Sequence, residues 1–340
     1  RGRGRTSPNP MVGCVIVKNG RVIGEGWHKK AGTPHAEVHA VRSAVEPVEG
    51  ATVYVNLEPC AHHGRTPPCL DLLLELKPAR VVICMRDPNP LVAGKSIRRL
   101  KAAGIDVRTG VFMKEARQLN EVFVTNMEKK RPYVVAKWAQ TLDGRIADKY
   151  GESRWITSSE ARRRARGLRS VYDAVCVGAE TVLCDDPRLD APSKKMVKVI
   201  LDPRGRTPAK ARLFAKAARV IIVTAGDVRR RWPASAEAIS CPYRNNGFDL
   251  SAMLQALFER GVMSVFVEGG SRTLGAFFDA RLVDKVFAFT APKLMVNKDA
   301  LSPVRGEKFE RFAQCVELKD FRHRLVGETY MTEGYPVYST

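Results

Sequence analysis

The sequence predicts an α/β protein of two domains, and three observations carry that reading. The chain has 340 residues, more than one ordinary hydrophobic core accommodates. Strand-like apolar runs alternate with helix-like periodic stretches in each half, the pattern of a sheet covered by helices. Between the halves, Glu128-Lys-Lys-Arg131-Pro132 interrupts the pattern with charge and proline. The expected domains are therefore 1–130 and 131–340.

In order along the first half, Met11 to Lys18 alternates around Val, Cys and Ile, Asn19-Gly20 signals a hairpin turn, and Arg21 to Gly26 is the return strand. His35 to Glu46 has helical spacing with Ala36, Val38, Ala40, Val41 and Ala44 available for burial. Ala51 to Leu57 is a strand that delivers Cys60 at its end. Pro67-Pro68 precedes Cys69 and the periodic Leu70 to Leu76, as expected of a helix start. Arg80 to Met85 is a buried strand and Ser96 to Ala103 a helix stopped by Gly104. In the second half, Tyr133 to Lys137, Ala174 to Gly178, Lys198 to Asp202, Val220 to Thr224 and Ser264 to Glu268 read as strands. Ser159 to Ser170, Leu250 to Arg260 and Ser271 to Ala280 read as helices. No internal repeat or low-complexity segment is present.

Composition narrows the class. Hydrophobic residues at 44% and charged residues at 27% describe a soluble globular protein. No apolar run approaches the roughly 18–20 residues of a membrane helix. No secretory signal is visible, and the first residue is Arg1 rather than Met, so an upstream segment is expected. The eight cysteines are scattered, mostly in apolar strand-like runs, and read as reduced residues of a cytoplasmic protein. The net charge of +21 fits nucleic acid, a solvated basic face, or phosphorylated small molecules. With aromatic residues at 7% and no basic run interleaved with stacking aromatics, phosphorylated metabolites are the preferred partners, with no nucleic acid and no membrane.

The chemistry concentrates at Thr33-Pro-His35-Ala-Glu37, answered by Glu58-Pro-Cys60 and Cys69. His-x-Glu followed by Pro-Cys and a second Cys is the signature of a zinc-dependent deaminase. One imidazole and two thiolates hold Zn²⁺ with a fourth position left for water, whose pKa the metal lowers towards ~7. Glu37 is then the proton shuttle from that water to the ring nitrogen and the leaving ammonia. The alternative, a closed structural zinc site, usually supplies four ligands in close pairs. Here His35, Cys60 and Cys69 are the three that suggest themselves. Eight residues separate the cysteines instead of the usual two, and this insert carries basic and imidazole groups suited to an anionic substrate.

Val265-Phe-Val-Glu268-Gly269-Gly270-Ser271 is an apolar strand ending in two glycines at a helix start, where backbone amides approach a phosphate. Beside it stand Lys137-x-x-x-Thr141-Leu-Asp143-Gly144-Arg145, Gly151-Glu-Ser153-Arg-Trp155-Ile-Thr-Ser158 and Asp185-Asp186-Pro187-Arg188-Leu189. Turn chemistry accounts equally well for each of these three taken singly.

Together the motifs resemble the bifunctional riboflavin-biosynthesis deaminase–reductases of bacteria over nearly the whole chain. The likeness rests on Ser7 to Gly13, His35 to Ala40, Glu58 to Cys69, Asp87-Pro-Asn89-Pro, Lys137 to Ala147, Trp155 to Ser158, Asp185-Asp-Pro and Glu268-Gly-Gly270. It implies a cytidine-deaminase-like three-layer α/β/α domain followed by a dihydrofolate-reductase-like α/β domain. It also implies two consecutive steps, deamination of 2,5-diamino-6-(5-phosphoribosylamino)pyrimidin-4(3H)-one and NADPH-dependent reduction of the ribosyl group to ribityl. The cofactors are then one Zn²⁺ per chain and NADPH, and the chain a homodimer or larger.

Residue by residue, the resemblance makes His35, Cys60 and Cys69 the metal ligands and Glu37 the shuttle. Asn9, His28, His62, Arg65, Asp87 and Asn89 contact the deaminase substrate, with Arg65 where many relatives have Lys. Lys137, Ser153, Arg169, Asp185, Leu189 and Glu268 form the reductase substrate site, Lys137 and Asp185 in catalytic roles. Trp155, Ser158, Thr181, Gly269 and Gly270 lie on the cofactor side. A basic residue expected shortly after Leu189 is replaced by Asp190-Ala-Pro192. Charge adds one further expectation: Arg204 or Arg206, in the loop after the strand ending at Asp202, accommodates the 2′-phosphate of NADPH. The rivals are a nucleic-acid deaminase fused to a basic domain, and a relative whose second half only binds or assembles.

Overall fold

The computed structural model describes residues 1–61, 67–90, 92–192, 196–215, 219–228 and 230–338. They form two compact units, Arg1–Lys130 and Arg131–Thr340.

In the first unit, β1 (Gly13–Lys18) and β2 (Arg21–Trp27) form an antiparallel hairpin. Its turn residues Asn19 and Gly20 have φ of 49° and 74°, the positive pair that a two-residue turn between twisted strands requires. Then follow α1 (Ala36–Arg42), β3 (Thr52–Val55), α2 (Cys69–Leu76), β4 (Arg80–Ile83), α3 (Lys95–Ala102), β5 (Asp106–Thr109), α4 (Met113–Leu119) and α5 (Glu121–Lys129). The sheet order is β2-β1-β3-β4-β5, with β3, β4 and β5 parallel. The expected helix from His35 to Glu46 stops at Arg42. Ser43 ends it by donating its hydroxyl to Glu25 O (2.8 Å) and accepting from Glu25 N (2.9 Å), which ties the helix end to β2. Helix α1 lies directly on β2 because Gly26 has no side chain. A Cβ there would stand closer than 3.0 Å to backbone atoms of Ala36, His39 and Ala40.

The second unit contains β6 (Tyr133–Gln140), α6 (Ser159–Arg169), β7 (Ala174–Gly178), α7 (Ala179–Asp185), β8 (Val197–Leu201), β9 (Arg219–Thr224), β10 (Ala236–Ser240), β11 (Tyr243–Arg244), β12 (Gly247–Phe248), α8 (Leu250–Glu259), β13 (Ser264–Val267), α9 (Ser271–Asp279), β14 (Lys285–Thr290), β15 (Glu317–Val326) and β16 (Thr329–Val337). One nine-stranded sheet runs β10-β9-β8-β7-β13-β6-β14-β16-β15. It is parallel from β10 to β14 and closes with two antiparallel strands that sequence reading did not anticipate. Alternate residues divide this sheet between two cores, as expected where helices cover both faces. Cys176, Val199, Ile221 and Val265 face the core of α8 and α9, whereas Val175, Val177, Ile200 and Ile222 pack with Leu189 and Leu213.

Candidate active sites

In the first unit, three elements converge on one point. His35 is the residue immediately before α1, Cys60 follows β3, and Cys69 is the first residue of α2. His35 Nδ1 lies 3.3 Å from Cys69 Sγ and 3.5 Å from Cys60 Sγ. The ligand atoms of all three stand within 4.8 Å of one another. Zinc bonds to nitrogen and sulfur of ~2.1 and ~2.3 Å at a tetrahedral angle place such atoms about 3.6 Å apart, so the set fits zinc. The Cys69 amide, at the first turn of α2, donates to Cys60 Sγ (3.3 Å). Hydrogen bonds from Cys69 and His35 lower the Cys60 thiol from its ordinary value.

Glu37 sits in the first turn of α1 and is only 3% exposed. Burial pushes its carboxyl up from the ordinary range. A cavity of about 540 Å³ opens beside it, lined by His35, Cys60, Glu37, Asn9, His28, Asp87 and Asn89 among others. The structure thus brings together seven of the residues expected at the deaminase substrate and metal, plus the shuttle. Asn9 Nδ2 meets His28 Nε2 at 3.1 Å, and His28 Nδ1 lies 3.2 Å from Pro34 O. Desolvation pushes the His28 imidazole down, favouring its neutral form. His62 and Arg65 lie outside the described residues.

Sequence reading missed Glu58 as an organiser. It is 2% exposed and accepts from Asp87 N (3.2 Å), Gly94 N (2.9 Å) and Ser96 Oγ (3.0 Å). These bonds draw the loop after β4 onto the end of β3 and carry Asp87 and Asn89 to the cavity. The Glu-Pro-Cys triplet was the available signal. Phe123 and Met127 of α5, also in the lining, gave none.

In the second unit, Glu268 anchors the other cluster. It follows β13, which pairs in parallel register with β6 (Val267 opposite Ala136), so the next residues, Glu268 and Lys137, are neighbours. Lys137 Nζ reaches Glu268 Oε2 at 3.3 Å, and Arg169 at the end of α6 grips both carboxylate oxygens, Nη2 to Oε2 at 3.2 Å. Burial pushes the Glu268 carboxyl up, but the Arg169 and Lys137 charges outweigh it and hold the group at about 2. Arg169 also donates to Asp190 O (3.0 Å). Lys198, 3% exposed on β8, donates to Asp190 Oδ1 (3.0 Å) and Leu213 O (2.8 Å). The positive charge missing after Leu189 is thus met from α6 and β8, which fasten the loop instead. Leu189 itself is buried, with φ of 56°.

The remaining expected residues are more dispersed. Asp185 ends α7 and is held by Arg154, whose Nη2 donates to Asp185 O (2.8 Å). Trp155 is 62% exposed under the Arg162 guanidinium, 4.4 Å from its ring centre. Ser158 caps α6 by accepting from Ala161 N (3.2 Å). Ser153 is half-buried. Gly269 lies against Thr273, where a Cβ would be closer than 3.0 Å, and Gly270 precedes α9 facing Thr181 of α7. Gly270 stands immediately before the first turn of α9, the kind of helix N-terminus whose backbone amides can meet a phosphate. Arg206 pairs with Glu180 of α7 (2.8 Å), whereas Arg204 is exposed. Among the described residues, no helix is long and apolar enough to cross a membrane.

Comparison with known proteins places this geometry in a context. Residues 1–85 match the cytidine and deoxycytidylate deaminase zinc-binding region, and residues 132–332 match the RibD C-terminal domain. The riboflavin biosynthesis protein RibD of Actinobacillus pleuropneumoniae is 42% identical over 98% of this chain and 91% of its own length. That of Escherichia coli is 40% identical over 96% and 93%. The crystal structure of a diaminohydroxyphosphoribosylaminopyrimidine deaminase/5-amino-6-(5-phosphoribosylamino)uracil reductase from Thermotoga maritima superposes with a TM-score of 0.87. It has 39% identity and covers 99% of this chain and 95% of that one.

The Glu268 cluster predicts a pH-dependent stability. A carboxyl lowered in the folded state to about 2 stabilises fully above its unfolded value of ~4.3 and loses that contribution as pH falls towards the folded value. Glu268→Gln should therefore cost on the order of 3 kcal/mol at pH 7, and clearly less at pH 3. Denaturant unfolding at both pH values checks this; an equal deficit at both contradicts it.

Proposed function

This chain belongs to the RibD family of bifunctional riboflavin-biosynthesis deaminase–reductases, and from that premise we propose how its residues divide the two reactions. Residues 1–130 deaminate 2,5-diamino-6-(5-phosphoribosylamino)pyrimidin-4(3H)-one hydrolytically. Residues 131–340 then reduce 5-amino-6-(5-phosphoribosylamino)uracil with NADPH. The convergence of His35, Cys60 and Cys69 beside buried Glu37 is the observation that carries the reading.

His35, Cys60 and Cys69 hold zinc, which when bound supplies the Lewis acidity that makes hydroxide available near neutral pH. Glu37 carries the proton. Burial raises its carboxyl above the ordinary range, which favours taking a proton from water before passing it to the ring nitrogen and the departing ammonia. Asn9, His28, Asp87 and Asn89 orient the ring, with His62 and Arg65 assigned to the substrate by the same family pattern. NADPH supplies the hydride of the second step. Lys137, Ser153, Arg169, Leu189 and Glu268 place the sugar, and Asp185 delivers a proton to it as the ring opens. Trp155, Ser158, Thr181, Gly269 and Gly270 place the cofactor. The family reading also carries a cytoplasmic location and a homo-oligomer of two or more chains; a monomer mass by light scattering would remove the latter.

Glu37→Ala should retain zinc yet lose deamination by roughly 10²–10⁴-fold, the usual scale of a positioned acid/base. NADPH oxidation with the deaminated intermediate should survive. Metal analysis with both activity assays tests this, and a joint loss of both activities would contradict the two-site reading.

For the cofactor's 2′-phosphate, Arg204 is the better placed of the two arginines, since Arg206 already pairs with Glu180. A charge-assisted hydrogen bond contributes roughly 1.5–3 kcal/mol, or about 10–150-fold in affinity. Removing both arginines should raise KM for NADPH on that scale and leave KM for NADH nearly unchanged. Equal losses for the two cofactors would assign the loop to folding.

A further inference from the structure

The match to the zinc-binding region ends at residue 85, but the cavity beside Glu37 continues past it. Phe123 and Met127 of α5 complete its lining. Asn120, Phe123, Val124 and Met127 are spaced by three and four residues, so they share one face of the helix and its cap. Val124 packs with Leu57 and Met85 in a small core, and Phe123 leans against that core from the cavity side.

Asn120 fastens this helix to the segment that leads into β1. It is 2% exposed, and both ends of its amide engage Met11: Oδ1 accepts from Met11 N (2.7 Å) and Nδ2 donates to Met11 O (3.1 Å). Asn56 Nδ2 donates to the same carbonyl (2.9 Å), and Asn56 Oδ1 accepts from Gly13 N (2.7 Å). Two side-chain amides thus pair with the backbone around Met11 much as a neighbouring strand would. Just upstream, Pro8, Asn9 and Pro10 line the cavity, and Asn9 makes its contact with His28.

We propose that α5 is the substrate-selecting wall of the deaminase cavity. Asn120 acts as a positioning residue for Asn9, while Phe123 and Met127 offer an apolar surface to the flat face of the pyrimidine. The inference rests on the deaminase reading above. An aminated pyrimidine has polar edges and apolar faces, and the cavity has the same division. Asn9, His28, Asp87 and Asn89 supply polar groups for the edges, and α5 supplies apolar side chains for a face. A zinc-binding region shared with deaminases of cytidine and deoxycytidylate cannot by itself choose among rings. Discrimination therefore falls to elements outside it, and α5 is such an element.

The test measures ammonia release from the phosphoribosyl diaminopyrimidinone by the full chain and by Phe123→Ala, Phe123→Leu and Asn120→Ala. Zinc content and NADPH oxidation with the deaminated intermediate are followed on the same preparations. Phe123→Ala should raise the deamination KM about tenfold or more, the scale of losing an aromatic contact. Its kcat, zinc content and reductase rate should stay close to wild type. Phe123→Leu, which keeps apolar bulk without the flat ring, should fall between, and Asn120→Ala should also raise KM. Unchanged KM in all three variants overturns the wall, as does a loss of zinc or of kcat with KM held. A wild-type chain that releases no ammonia would instead defeat the deaminase reading on which the wall depends.

Discussion

A carboxylate removed from water destabilises a fold unless donors or cations surround it, and each site of this chain is arranged around one. Glu58 takes neutral donors, and by collecting Asp87 N, Gly94 N and Ser96 Oγ it gathers a loop. Glu268 takes cations, and by collecting Lys137 and Arg169 it ties a strand to the end of a helix. In both units the group stands just past the C-terminal end of a parallel strand, β3 in one and β13 in the other. Ligands in open α/β sheets bind outside such ends. The requirement that buried charge be compensated therefore also positions the side chains proposed to face the substrates.

The metal centre was legible from sequence because its chemistry confines both residue types and order. An imidazole, a carboxylate two residues on and two later thiols have few other uses together. The pairing of Lys137 with Glu268 was half legible. Both residues stood out, but their contact depends on β6 and β13 being sheet neighbours, a relation no local pattern contains. The same holds for Asn120 and Met11, which meet across 109 residues. Strand β15 was invisible for a different reason. It is exposed along almost its whole length, so the alternation that marks a half-buried strand is missing. Helix α1 was drawn too long because apolar spacing continues past Arg42, while the hydrogen bonds that stop it come from β2.

Cations do different work at different places in the second unit. Around Glu268 they are only 16% exposed, so truncating one would leave the carboxylate in a low dielectric without its partner. Arg204 and Arg206 are exposed, and salt screens them. The net charge of +21 is therefore no single binding surface. It is the excess of 57 lysines and arginines over 36 acidic residues, so cations paired with internal acids add nothing to it, and the remainder can attract phosphorylated ligands.

On the proposed function, one chain holds two separate sites acting in sequence, only the first dependent on zinc. It is tested most directly by following ammonia release and NADPH oxidation together, before and after chelation. With the diamino substrate, equal amounts of ammonia released and NADPH oxidised are expected. Removing zinc should abolish both on that substrate, while NADPH oxidation with the deaminated intermediate continues. Ammonia release from zinc-free protein, or a reductase reaction that stops on chelation, would contradict it.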